Sequence, residues 1–258
     1  TKQKVKDNSW LIFPQPNPQA SLRLFCFPYA GAGASIFNHW VKQLPTEIEL
    51  CAIQLPGREN RLTESPLTRI KELVNLLVRD LKPYLDRPFA LFGHSMGALL
   101  GFEITRELRR RNYPLPIHLF VSGRNAPQLL DLQPPIHRLP DDRFIEKIEN
   151  FNGTPEAVWQ DKKLVEQILP ILRADFALLE TYFYANEPSL DLPITAFGGL
   201  KDSQVEQVKL AAWKHQTTAN FALQMFEGDH FFLHSADREL LQAISAQLVQ
   251  QSPLVNYS

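Results

Sequence analysis

The sequence is short of the features that mark several classes of protein. Only two cysteines, Cys26 and Cys51, occur in 258 residues. Each sits inside an apolar, strand-like run, so two buried thiols are expected in place of a disulfide framework. No apolar stretch approaches the ~18 residues that span a bilayer, which argues against a membrane protein. Neither sign of charge prevails: 27 Lys and Arg stand against 28 Asp and Glu, a formal charge of -1. A global basic field for nucleic acid is therefore missing. No basic-then-apolar leader opens the chain, and together with the reduced thiols this gives a cytoplasmic expectation. Internal repeats and low-complexity tracts are absent too.

What is present is enough apolar material, 44% of residues, to bury a full core in one domain spanning 1–258. Short apolar runs bounded by turn residues read as buried strands at Leu22 to Pro28, Glu49 to Leu55, Phe89 to Phe92, His118 to Val121, Ile194 to Phe197 and Phe221 to Phe226. An edge strand is possible at Trp10 to Phe13. Helical patterns lie between these runs, as in Ile70, Leu73, Leu77 and Leu81, with Pro66 placed for a first helical turn. Such alternation predicts an α/β protein with a mainly parallel sheet, helices on both faces and a ligand site beyond the carboxyl ends of the strands.

One segment, about Pro127 to Pro188, offers no strand. Asp141 is placed to cap a helix carrying Phe144, Ile145 and Ile148. A longer pattern runs from Leu164 through Ile168, Leu172, Phe176 and Leu179 to Phe183, with Pro170 expected to kink or break it. The segment reads as a helical insertion of the kind that forms a lid, or else as additional core helices.

The chemistry concentrates at Gly93-His94-Ser95-Met96-Gly97, which follows "FALF" and precedes an amphipathic helical pattern. A serine on a sharp strand-to-helix turn projects above the sheet, glycines on either side relieve collisions with strand and helix, and the amide of Met96 faces a developing oxyanion. Gly-x-Ser-x-Gly alone arises by chance in roughly one chain in ten of this length, so partners decide its meaning. An ordinary serine needs a base and a group to orient that base, expected in the order Ser, acid, His, each after a strand. Asp202 follows "ITAFGGLK", where Ser203 and Glu206 could form a capping box, and His230 follows "FALQMFEGD".

Competing residues fit less well. Asp229 is too close along the chain to orient His230, and Asp191 precedes its strand. His94 reads as a packing or hydrogen-bonding residue. His230 and His234 have helical ligand spacing but no third ligand cluster, so no metal is expected. The loop "YAGAGAS" is suited to supply a second oxyanion donor, the amide of Ala30 first and of Tyr29 second. As a phosphate cradle it lacks the third glycine of a dinucleotide fingerprint and the Gly-Lys-Ser/Thr ending of a nucleotide loop.

The combination "FCFPYAGAGAS", "LPGRE.R", "FGHSMG", "FGGLKD" and "GDHFF" resembles the type II (external, editing) thioesterases of nonribosomal peptide and polyketide synthases, from about Leu22 to Leu248. "FNGTP" resembles their lid, whereas Tyr29 and "AGAG" stand where that family often has His and "AGG". The resemblance implies an α/β-hydrolase fold with a lid at about 127–188. It also implies a thioesterase that removes aberrant or stalled acyl or aminoacyl groups from the phosphopantetheine arm of acyl or peptidyl carrier protein domains. Medium-chain fatty-acid-releasing thioesterases share much of the pattern, and a small-molecule esterase or a noncatalytic carrier-binding protein are the rival readings. No cofactor is implied, since phosphopantetheine belongs to the substrate, and a monomer is expected. Arg106 and Arg109 to Arg111 read as a solvated face or as a basic rim for an acidic carrier, a role open equally to Arg58 and Arg61.

Overall fold

A computed structural model describes residues 8–151 and 153–251. Seven strands form one sheet in the order β1-β3-β2-β4-β5-β6-β7. They are β1 (Leu11–Ile12), β2 (Leu22–Phe27), β3 (Ile48–Ile53), β4 (Phe89–His94), β5 (His118–Ser122), β6 (Ile194–Gly199) and β7 (Phe221–Phe226). All pair in parallel except the edge strand β1, which runs antiparallel to β3. Each expected strand is present, shifted by at most two residues at its ends. β2 to β6 are buried along their whole length, which is why they read as continuous apolar runs.

Among the described residues eight α-helices accompany them: α1 (Ile70–Leu81), α2 (Met96–Arg110), α3 (Asp141–Glu149), α4 (Glu156–Gln160), α5 (Lys162–Glu180), α6 (Gln207–Ala211), α7 (Phe232–Ser235) and α8 (Asp237–Gln251). α1 and α2 cover one face, where Leu73, Leu77, Leu99 and Phe102 pack on Phe25, Leu91 and Leu119. The other face carries a 3-10 segment at Ala34–Lys42 together with α8, so that Phe37, Trp40, Leu240 and Ile244 meet Leu24, Phe92 and Phe120. Burying each such side chain contributes about 2 kcal/mol. Cys51 pairs in register with Phe25, so Cys26 faces one side of the sheet and Cys51 the other. Both are free and buried, their thiols pushed up in pKa first by desolvation.

Several local expectations need correction. α1 begins at Ile70, and Pro66 lies in an irregular segment four residues earlier. Asp141 is the first helical residue of α3 after Pro140 and makes no cap; its carboxylate pairs with Arg173 instead. The capping aspartate is Asp161, which accepts from the amides of Lys163 and Leu164 at the start of α5. α5 continues through Pro170 to Glu180, leaving Phe183 outside it and exposed. Proline removes one helical donor, but Ile171, Leu172 and Leu178 on the buried side hold the helix in place. Ser203 and Glu206 form no capping box: α6 starts at Gln207 without a side-chain cap.

The chain passes from β2 outward to β3 and then returns across β2 to start β4 and proceed the other way. The carboxyl ends of β2 and β4 therefore lie side by side at the point where strand order reverses, with Phe27 paired to Gly93. Open α/β sheets leave a crevice at such a point. The two loops that emerge there begin with Pro28 and Ser95.

Candidate active site

Ser95 is held at φ 54 and ψ -113 between β4 and α2, a conformation that L-residues rarely adopt and that surrounding contacts must enforce. Its amide donates to Ser122 O at 2.7 Å. A side chain on Gly93 would overlap the Gly97 carbonyl, and one on Gly97 would overlap the Phe27 carbonyl at the end of β2. The two glycines thus let helix and strands close on the turn, as the motif suggested.

His230 and Asp202, 28 residues apart, come together from the loops after β7 and β6. Nδ1–H of His230 donates to Asp202 Oδ2 at 2.8 Å, with the imidazole 8% and the carboxylate 1% exposed. Asp202 Oδ1 accepts from the amide of Gln204 at 2.8 Å. The carboxylate is thereby fixed by two donors, and the bond to Nδ1 leaves Nε2 as the free, basic nitrogen. Ser95 and His230 line one pocket. The Ser95 hydroxyl makes no hydrogen bond among the described residues, and such contacts commonly tighten only with substrate.

His94 belongs beneath this arrangement. Fully buried, its Nε2–H donates to the His230 carbonyl at 2.7 Å, and its Nδ1 accepts from Ser122 Oγ at 2.8 Å. Desolvation above all, followed by the neighbouring His230, holds its pKa well below the usual value, so it is neutral. His234 meets the Tyr29 hydroxyl at 2.9 Å. His94 is the contributor whose role only the fold reveals: its position beside Ser95 was evident, but its bond to the backbone of His230 spans 136 residues.

The loop after β2 lines the same pocket as His230, with Tyr29 packed against Phe231. The amides of Ala30 and of Met96, the first residue of α2, have no acceptor among the described residues, and Ala30 lines the pocket with Ser95. The segment between β5 and β6 adds apolar lining: Ile148 of α3, Phe151, and Leu172 and Phe176 of α5. An acyl chain would meet apolar side chains there, while its carbonyl faced amide donors and an imidazole.

Known proteins resemble this chain over nearly its whole length. The thioesterase domain family matches residues 22–248. Gramicidin S biosynthesis protein GrsT of Aneurinibacillus migulanus is 46% identical over 241 residues, 93% of this chain and 94% of that protein. The solved structure of the type II thioesterase BorB from the borrelidin biosynthetic cluster superposes with a TM-score of 0.86 at 35% identity, covering 94% of this chain and 99% of that one. RedJ, a thioesterase of the prodiginine pathway in Streptomyces coelicolor, gives a TM-score of 0.84 at 39% identity over 90% of this chain and 92% of that one.

The chain belongs to the thioesterase family. It is a serine-hydrolase-type thioesterase of the α/β-hydrolase superfamily, homologous to type II editing thioesterases.

In this thioesterase the arginines considered for docking are engaged internally. Arg58 is 3% exposed and bound to Asp175, and Arg61, 5% exposed, reaches Gln54 O and Glu64 and stacks on Trp10. Arg106 is buried against Glu103 and Glu187. Arg109, Arg110 and Arg111 pair with Glu187 and Glu107. A motif such as "LPGRE" shows the charge but not the buried partner, which lies 117 residues away.

Proposed function

We propose that Ser95, His230 and Asp202 are the catalytic triad of a thioesterase acting on acyl or aminoacyl thioesters borne on the phosphopantetheine arms of carrier protein domains. The observation that carries this reading is the 2.8 Å bond from His230 to Asp202 at the rim of the pocket that also holds the strained Ser95.

Ser95 Oγ attacks the thioester carbonyl while His230 Nε2 takes its proton and Asp202 stabilises the imidazolium. The amides of Met96 and Ala30 receive the tetrahedral oxyanion. His230 then protonates the departing pantetheine thiol, leaving an acyl-Ser95 ester. Water, deprotonated by the same imidazole, attacks the ester carbonyl; as the acyl–Oγ bond breaks, His230 returns the proton to Ser95 Oγ and the carboxylic acid leaves. No metal or cofactor enters these steps. α3 to α5 act as the lid over the acyl group, within a single domain that carries the insertion at about 127–188.

Removal of aberrant or stalled groups is the role this chemistry serves in the reading. A monomer that meets free carrier domains in the cytoplasm, binding neither nucleic acid nor membrane, completes it; among the described residues no helix is long and apolar enough to cross a membrane.

The test is mass spectrometry of a panel of carrier proteins loaded with acetyl, longer acyl and aminoacyl groups, before and after incubation with enzyme. Wild-type protein should unload them and Ser95→Ala should not. Comparable turnover by the folded Ser95→Ala variant overturns the triad, and preference for free esters over carrier thioesters of matched acyl length points to an esterase.

A further inference from the structure

The hydrolytic steps leave unused a buried ion pair that joins three segments far apart in the chain. Asp175, on the buried face of α5, is 0% exposed and accepts from Arg58 Nη1 at 2.6 Å and Nη2 at 2.8 Å. Its Oδ2 also accepts from the amide of Gly31 at 2.8 Å, the residue next to Ala30. Arg58 Nη1 reaches the Ala32 carbonyl at 3.1 Å. One carboxylate and one guanidinium thus grip both sides of the loop at residues 31 and 32. Gly31 has φ +83, and a side chain there would run into Leu172, so the loop is pressed against α5 itself. Neighbouring bonds extend the clamp: Gln54 Oε1 accepts from the Ala34 amide at 3.0 Å.

A buried carboxylate with no role beyond packing is costly compared with apolar residues of the same shape. Here its third bond goes to the backbone that carries the proposed oxyanion donor. We propose that Asp175 is a positioning residue for the oxyanion hole, with Arg58 holding its carboxylate, so that helix α5 aims the Ala30 amide at the acyl carbonyl. The same helix presents Leu172 and Phe176 to the pocket. Filling the pocket therefore bears on the element that sets the oxyanion donor, and displacement of this part of α5 dismantles the hole. The proposal rests on the assignment of Ala30 as oxyanion donor.

The test compares wild type, Asp175→Asn, Arg58→Lys and the double variant Arg58→Met/Asp175→Leu, with Ser95→Ala as the control for the triad. Readouts are kcat and KM on a short acyl pantetheine thioester, inhibition by an alkylboronic acid that forms a tetrahedral adduct at serine, and binding of the thioether analogue of the substrate. Misaligning one oxyanion donor should lower kcat on the order of 10²-fold for Asp175→Asn, with KM nearly unchanged. Boronate affinity should weaken in parallel while thioether binding holds. Arg58→Lys should fall between this variant and wild type. Should Asp175→Asn fail to fold because Arg58 is left unpaired, the double variant removes both charges and carries the comparison alone. A folded Asp175→Asn or double variant with kcat within twofold of wild type overturns the proposal. Equal losses in boronate and thioether binding also overturn it, because a merely structural defect acts on both. If Ser95→Ala loses activity in the same series, the triad reading stands whichever way Asp175 falls.

Discussion

The sheet and the insertion between β5 and β6 are built on different scales. The sheet carries two apolar clusters, each extending over several strands and the helices on that face. In the insertion the buried apolar cluster comprises Phe144, Ile148 and Leu172, with half-buried neighbours such as Phe151 and Phe176. The first region can hold side chains in strained positions because displacement of any one strand disturbs its neighbours. The second has a smaller cluster of its own, and its helix α5 is tied to the rest of the protein by Leu178 and by the Asp175–Arg58 pair. The sheet carries the strained Ser95 turn, whereas the insertion contributes an apolar pocket wall and, through Asp175, the hold on the Gly31 amide.

Breaking the sheet side should cost most. Asp202→Asn retains the shape but presents an amide to His230 Nδ1 and favours the wrong tautomer; kcat should fall about 10³- to 10⁴-fold with the thermal midpoint barely altered, as steady-state kinetics and calorimetry would show. A change of tenfold or less would refute Asp202 as the orienting acid. Gly97→Ala places a methyl against the Phe27 carbonyl. It should destabilise the protein by more than about 4 kcal/mol or prevent folding, measured by denaturant unfolding.

A pH experiment addresses the sheet from another direction. His118 stacks on Phe120 at 4.1 Å and bonds to Thr195 at 2.8 Å. Desolvation, partly offset by the bond that His118 Nδ1–H donates to Gln251 Oε1, lowers its pKa from 6.5 to about 4. Its folded-state pKa is depressed, so between pH 6.5 and about 4 the unfolded chain binds a proton that the folded chain does not. Stability is full above this window and declines through it as pH falls, by about 3 kcal/mol at the acid end. Neutral, buried His94 adds a loss of the same sign. His118→Gln should flatten part of that slope in urea titrations at successive pH values; an unchanged slope would count against the assignment.

The smallest effect is expected in the insertion. Phe176→Ala should cost about 1 to 2 kcal/mol, less than the usual range for a fully buried phenylalanine, because the ring is half-buried. It should instead shift preference toward bulkier or longer acyl groups, read from relative kcat/KM across an acyl series. A stability loss as large as that of Gly97→Ala, with preference unchanged, would erase the distinction between the two regions.

Every strand of the sheet, the elbow at Ser95 and the chain order Ser95, Asp202, His230 were legible in the sequence. These depend on local regularities: continuous apolar runs for buried strands, glycine where a side chain cannot fit, and chemistry placed just after a strand. The sequence misplaced what depends on competition between distant partners. Asp141 looked like a cap but serves Arg173, Asp161 took the capping role, and Pro170 did not break α5 because burial outweighs one missing hydrogen bond. Packing between distant segments turns Arg58 inward to Asp175 and sets His94 against the backbone of His230. A charge or an imidazole in a sequence has no direction until packing removes it from water, and the partner that then compensates it can lie anywhere along the chain.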